Sequence, residues 1–111
     1  MGFDDFTKRR IGKILDAYIE AKIPDDFKAD YKILYTFRGN NITLVQETPA
    51  YLPGERVELP ICQFRLADNK WKVYWQDSRN RWHLVEDLEP IEDFKRQLMN
   101  IEKPEFSYMW L

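Results

Sequence analysis

The chain has 111 residues, 44% of them hydrophobic, and 17 Lys and Arg against 19 Asp and Glu give it a net charge of −2 at pH 7. This length suffices for one compact core and is too short for two ordinary domains, so we expect a single domain over residues 1–111. The net charge argues against a protein whose whole surface binds polyanions, but it is compatible with a local basic patch. The 15% aromatic content excludes a disordered composition.

Cysteine usage and the N-terminal residues bear on the compartment. The single cysteine, Cys62, cannot form an internal disulfide. With His83 as the single histidine, the chain also lacks the Cys and His ligands of a structural zinc site. Asp4 and Asp5 stand where a secretory signal needs positive charge. No apolar run approaches the ~20 residues of a membrane span. We therefore expect a cytoplasmic protein with no metal, no cofactor and no membrane association.

The first predicted element is a helix over residues 4–22. Apolar side chains recur there at three- and four-residue spacing, which lays one stripe along the helix. Asp4 or Asp5 is placed to cap its start, and Pro24 ends it because the residue before a proline is pushed out of helical geometry. The stripe consists of Phe3, Ile11, Ile14, Leu15, Tyr18 and Ile19.

Two strands and a turn follow the helix. The hydrophobic period changes to two, which predicts a strand over residues 31–38. A second strand over 42–48 returns after the Gly-Asn-Asn sequence at 39–41, whose residues tolerate positive φ. Prolines and a glycine punctuate residues 49–58, so we predict the longest loop of the chain there.

Three more strands are predicted at short intervals, over residues 59–66, 71–76 and 81–85. Turn-forming residues at 68–69 and 77–80 separate them. Connections this short join antiparallel neighbours, because parallel strands need crossovers of about a dozen or more residues. The five strands are therefore expected to form an antiparallel meander.

The chain is predicted to close with a helix over residues 90–102 and an aromatic tail over 103–111. Pro90 suits a first helical position, and an apolar stripe follows it. The stripe consists of Ile91, Phe94, Leu98 and Ile101. The tail carries Phe106, Tyr108 and Trp110, and so much apolar area should dock on its own domain or on another chain. Together the elements predict an α+β fold: an N-terminal helix, a five-stranded antiparallel meander and a C-terminal helix.

A tryptophan-rich hairpin is the most specific motif. The run Trp71-Lys72-Val73-Tyr74-Trp75-Gln76-Asp77, followed by Arg81-Trp82-His83, resembles the core of a bacterial family of small proteins, domain of unknown function 3024. The resemblance extends over most of the chain and includes an E-x-P step at Glu47-Thr48-Pro49, where family members tend to have Arg in the middle position. It implies the helix, Trp-rich hairpin and closing helix of that family. Because the family has no assigned activity, the resemblance transfers no catalytic residues.

Pleat parity assigns the residues of this hairpin to two faces. Trp71, Val73 and Trp75 share one face, and we take Trp82 and Leu84 as their partners across the turn. Rings of this size bury much area, so we interpret that face as a core layer under the helices. The alternative is a platform on which bases or a ligand stack.

The opposite parity supplies the candidate binding residues, which the pattern places on an outer, basic face of the sheet. Lys32, Arg38 and other polar residues of the first hairpin extend this face. An open basic face with a tyrosine and a histidine in its middle suits an anionic partner such as nucleic acid or an acidic peptide. The alternative is an ordinary solvated sheet face. The candidate binding residues are Arg65, Lys72, Tyr74, Gln76, Arg81 and His83.

Catalytic arrangements are poorly supported. Ser78 and Ser107 are the only serines, and neither lies in a Gly-x-Ser-x-Gly elbow. Cys62 falls at an inward parity, which favours a small buried hydrophobe over a nucleophile activated by His83 on the opposite face. An enzyme would need a pocket that joins His83 to a carboxylate. We therefore assign no catalytic residues.

The sequence thus favours a noncatalytic binding or protein-interaction domain. Its partner would be another protein or a second copy of the chain, held through the aromatic tail or a sheet edge. The alternative is binding of single-stranded nucleic acid or RNA through the basic outer face.

Overall fold

The computed structural model describes residues 2–28 and 30–110. Within these ranges, the predicted α+β fold with its five-stranded antiparallel sheet is confirmed. The elements are helix α1 (Asp5–Lys22), a 3₁₀ helix (Asp25–Phe27), strands β1 (Lys32–Arg38), β2 (Asn41–Pro49), β3 (Arg56–Ala67), β4 (Lys70–Gln76) and β5 (Trp82–Leu84), helix α2 (Phe94–Asn100) and a C-terminal 3₁₀ helix (Pro104–Met109).

Local signals set the bounds of α1. Asp4 is the N-cap, and its side chain accepts a hydrogen bond from the Thr7 N–H at 2.7 Å. The helix ends at Lys22, where Ile23 adopts an extended conformation before Pro24. Ile11 and Leu15, one turn apart on the predicted stripe, are completely buried.

The sheet is a meander in which each strand pairs with its neighbours along the chain, in the order β1-β2-β3-β4-β5. Tight turns explain this order. Arg38 pairs with Asn41 around a two-residue turn in which Gly39 has φ +58°. Asp68 and Asn69 both have positive φ between β3 and β4, the conformation that a two-residue hairpin turn requires.

The predicted loop over residues 49–58 is too long. β2 continues through Pro49 and β3 begins at Arg56, so strand pairing covers both ends of that segment. Pro60, further along β3, does not break the pairing either, because it pairs with Val45 beside a β-bulge, where a missing N–H is tolerated.

The predicted helix over residues 90–102 begins too early. Ile91 forms a β-bridge with Trp71, whose N–H donates to the Ile91 carbonyl at 2.7 Å, so the backbone after Pro90 is extended. Asp93 is the actual N-cap and accepts from the Arg96 N–H at 3.2 Å. A tertiary contact therefore overrides the first turn that the apolar spacing predicts.

Both α-helices pack on the same face of the sheet, which we call the inner face. Phe94 of α2 makes edge contacts with Phe64 and Trp71, with ring centroids 5.0 and 4.9 Å apart. Ile11 and Leu15 of α1 belong to the same buried cluster. Among the described residues, no helix has the length and apolarity to cross a membrane.

The aromatic tail docks on its own domain. Phe106 and Met109 of the C-terminal 3₁₀ helix are buried in the core cluster. The indole N–H of Trp110 donates to the Ile101 carbonyl at 3.1 Å, and the Lys22 Nζ lies 3.9 Å from the centroid of the Trp110 ring. The tail thus covers the core, and a second chain is not needed to bury it.

Candidate functional site

The candidate site is the face of the sheet opposite the helices, which we call the outer face. Strand register decides which residues share it, because directly paired residues point to the same side. Gln63 pairs with Tyr74, and Arg65 pairs with Lys72. Four of the predicted binding residues lie on this face: Arg65, Lys72, Tyr74 and Gln76.

The outer face is free of the helical layer. The core cluster draws its side chains from the helices, the segments that follow β5 and the inner face, together with the bulge residue Ile61. None of the hydrophobic residues at outer-face positions belongs to it; these are Leu34, Val45, Tyr74, Trp82 and Leu84. The outer face is therefore available to a partner.

Two predicted site residues, His83 and Arg81, do not join this face. His83 pairs with Trp75 and stacks on its indole ring, with centroids 4.9 Å apart, so it lies on the inner side. Arg81 precedes β5 and belongs to the turn. The assumed β4–β5 register was wrong by one residue, and a shift of one residue reverses the face of every side chain in a strand.

The same shift brings Trp82 and Leu84 to the outer face, where the sequence analysis missed them. Trp82 pairs with Gln76 and is half-buried, and Leu84 pairs with Tyr74 and is exposed. The signal for this register lies in the turn. Asp77 accepts hydrogen bonds from the N–H groups of Arg79 and Arg81 through Oδ1, an Asx arrangement that supports a turn of five residues.

A row of basic side chains crosses one end of the outer face. Arg38 pairs with Asn41, Asn41 with Arg65, and Arg65 with Lys72, so the four residues lie side by side on β1 to β4. We call this set the basic row. With inter-strand spacings of about 4.8 Å it spans roughly 14 Å. Its three cations have no carboxylate in the row to neutralise them.

The opposite end of the outer face is close to neutral. Lys32 pairs with Glu47, which pairs in turn with Glu58. Arg56 donates from Nε to a Glu47 carboxylate oxygen at 2.5 Å. Positive charge is therefore concentrated at the basic row, although the chain as a whole carries −2.

Neighbouring side chains hold Arg65 in place. Its Nε donates to the Gln63 side-chain oxygen at 2.6 Å, and the Gln63 amide donates to the Thr43 hydroxyl at 2.9 Å. The Arg65 guanidinium carbon lies 3.9 Å from the centroid of the Tyr74 ring, a cation–π contact. A guanidinium has five N–H donors, so most of them stay free to bind an anion in a fixed orientation.

A comparison with known protein families covers almost the whole chain. The family model described as "Domain of unknown function (DUF3024)" matches residues 3–111. The chain belongs to this family. The resemblance found in the sequence is thereby confirmed. No curated protein and no solved structure matches the chain.

In this DUF3024 chain the displaced histidine forms a hydrogen bond with a carboxylate at the β4–β5 turn. His83 Nε2 lies 2.6 Å from Asp77 Oδ2. The hydrogen bonds from His83 and from the backbone N–H groups lower the pKa of Asp77 to about 2. Oδ1 thus accepts from the turn and Oδ2 contacts β5, so both carboxylate oxygens are occupied.

A cavity of about 320 Å³ lies beside Asp77 and is lined in part by Trp75, Ser78 and Tyr108. A nucleophile hydrogen-bonded to His83 is missing among the described residues, and Cys62 is completely buried in the core. Burial also raises the pKa of the Cys62 thiol, which disfavours the reactive thiolate. The hydrogen bonds to Asp77 stabilise the turn.

Proposed function

We propose that this chain is a noncatalytic binding domain, acting in the cytoplasm, that holds single-stranded nucleic acid on the outer face of its sheet. The basic row carries the proposal, because none of its three cations has an ion-pair partner among residues 2–28 and 30–110, and the helices pack on the other face. The free and completely buried Cys62 supports a reducing compartment.

Aromatic side chains on the outer face favour a single strand over other anions. The Arg65 guanidinium covers one side of the Tyr74 ring, and Trp82 pairs with Gln76, two residues beyond Tyr74 on the same face. Unstacked bases stack on such rings, and each stacked base contributes about 1–3 kcal/mol. Cations at strand spacing then follow the phosphates, while double-stranded helices keep their bases stacked and out of reach.

The test is fluorescence anisotropy with a labelled oligouridine. Three phosphate contacts predict a slope of log K against log salt near −2, at about −0.7 per contact, and hence roughly 20-fold weaker binding at 200 mM than at 50 mM salt. Lys72→Ala is expected to weaken binding and to reduce the slope by about 0.7. Lys95→Ala, which removes an equal charge from α2, is the matched control and should leave binding unchanged.

Two results would contradict this function: no binding at about 50 mM salt, where phosphate contacts are strongest, or equal losses from Lys72→Ala and Lys95→Ala. Circular dichroism of each variant establishes that the fold is retained. Trp82→Ala separates stacking from charge, because Trp82 pairs with Gln76 away from the basic row, and its loss should weaken binding without changing the salt slope.

A protein partner or a second copy of the chain is the second candidate. The docked tail no longer supports it, but β1 lies at a sheet edge and pairs only with β2 among the described strands. An unpaired edge accepts an added strand. Light scattering at high concentration tests the homo-oligomer, and a strictly monomeric protein would exclude it.

A further inference from the structure

A second concave surface lies away from the outer face, between α1 and α2. The two helices flank a groove of about 760 Å³, within the range of cavities that hold small molecules. Its apolar lining includes Ile14 and Ala17 from α1 and Leu98 and Met99 from α2. Met99 is 55% exposed, although a side chain of this kind is usually buried.

One end of the groove is bridged by a polar cluster. The Tyr18 hydroxyl donates to the Glu102 carboxylate, and Lys22 Nζ lies 2.9 Å from both carboxylate oxygens. Lys22 thereby neutralises Glu102 and joins α1 to the residues that follow α2. This bridge blocks a long ligand, such as a partner helix, from running straight through the groove.

Two lysines line the groove away from this bridge. Lys13 precedes Lys22 by roughly 14 Å along α1 at the helical rise of 1.5 Å per residue, and Lys95 lies in the first turn of α2, before Glu102 in the chain. Neither has an ion-pair partner in the part of the chain that the structure describes. Because Lys22 and Glu102 neutralise each other, the charge that remains on the lining is positive, and it attracts an anion bound in the groove.

We propose that the groove binds a single-chain anionic amphiphile, such as a fatty-acid carboxylate. The carboxylate contacts Lys13 and Lys95, and the alkyl chain lies on Ile14, Ala17 and Met99 towards the Tyr18–Glu102 bridge. Charge complementarity favours this occupant, because the free charges are cationic and lie away from the bridged end. The proposal does not depend on the function of the outer face.

Isothermal titration calorimetry with dodecanoate, below the concentration at which it forms micelles, tests the proposal. We expect binding of one molecule per chain, about tenfold weaker binding for the double variant Lys13→Ala/Lys95→Ala, and unchanged binding for Lys72→Ala on the outer face. Ala17→Phe, which fills the groove at an exposed helix position, should abolish binding while the circular dichroism spectrum is preserved.

The charge of the headgroup provides a second criterion. Dodecyltrimethylammonium carries the same chain with a positive head and is expected not to bind. Equal binding of both amphiphiles, loss of binding in Lys72→Ala but not in the double variant, or no binding of dodecanoate at all would overturn the proposal. Binding of an acidic amphipathic peptide, but not of dodecanoate, would overturn it in favour of a protein partner.

Discussion

Gln97 anchors α2 to the sheet and provides the sharpest stability prediction. Its side chain is completely buried, and its amide donates to the Trp71 carbonyl at 2.8 Å and to the Glu89 carbonyl at 3.1 Å. Trp71 directs its N–H to Ile91, so its carbonyl points to the same side, away from β3. Replacing Gln97 with Leu keeps the side-chain size but removes this donor from both carbonyls.

The magnitude follows from the burial of those carbonyls. An unsatisfied buried acceptor costs about 1–3 kcal/mol, and the contact with Glu89 is only partly buried, so we expect Gln97→Leu to lower the free energy of unfolding by about 2–4 kcal/mol. For a chain of this length that corresponds to a melting temperature lower by roughly 8–16 °C. The Leu side chain buries more apolar surface than Gln, which opposes this loss, and the lower end of the range of about 2–4 kcal/mol includes that gain.

Urea unfolding monitored by tryptophan fluorescence measures the change. Lys95→Ala, at an exposed position of the same helix, is the control and should change the free energy of unfolding by less than about 0.5 kcal/mol. Equal stability of Gln97→Leu and the wild type would contradict this prediction. It would show that packing of the side chain, and not hydrogen bonding of the two carbonyls, determines stability at this position.

Two further predictions concern the turn and the core. The pKa of Asp77 is about 2 in the folded chain against 3.8 as the ordinary value, so its charge stabilises the fold above pH 4 and this contribution is lost as the pH falls to 2. The stability difference between wild type and Asp77→Asn, followed by thermal unfolding, should therefore shrink over that interval, and a constant difference would contradict it. Cys62 should react with a thiol reagent only after denaturant is added, because the thiol is buried and burial raises its pKa. Rapid reaction of the native chain would contradict this and would show that β3 opens.

The sequence by itself predicted the elements whose signals are local. Three- and four-residue spacing with Asp4 and Pro24 determined α1, and alternation with short turns determined the meander. Parity within β3 and β4 then placed Arg65 and Lys72 on one face, because their spacing along the hairpin is set by the two-residue turn at Asp68 and Asn69.

Only the tertiary structure decided the features that depend on pairing between distant residues or on turn conformation. The side chain of Asp77 supports a β4–β5 turn that is one residue longer than predicted. Because of this extra residue, Trp82 and not His83 lies on the outer face. The bridge between Trp71 and Ile91 delayed the start of α2, and burial of Phe106 kept the tail on its own core. Such contacts join residues far apart along the chain or depend on a single turn bond, and periodicity along one segment carries no information about either.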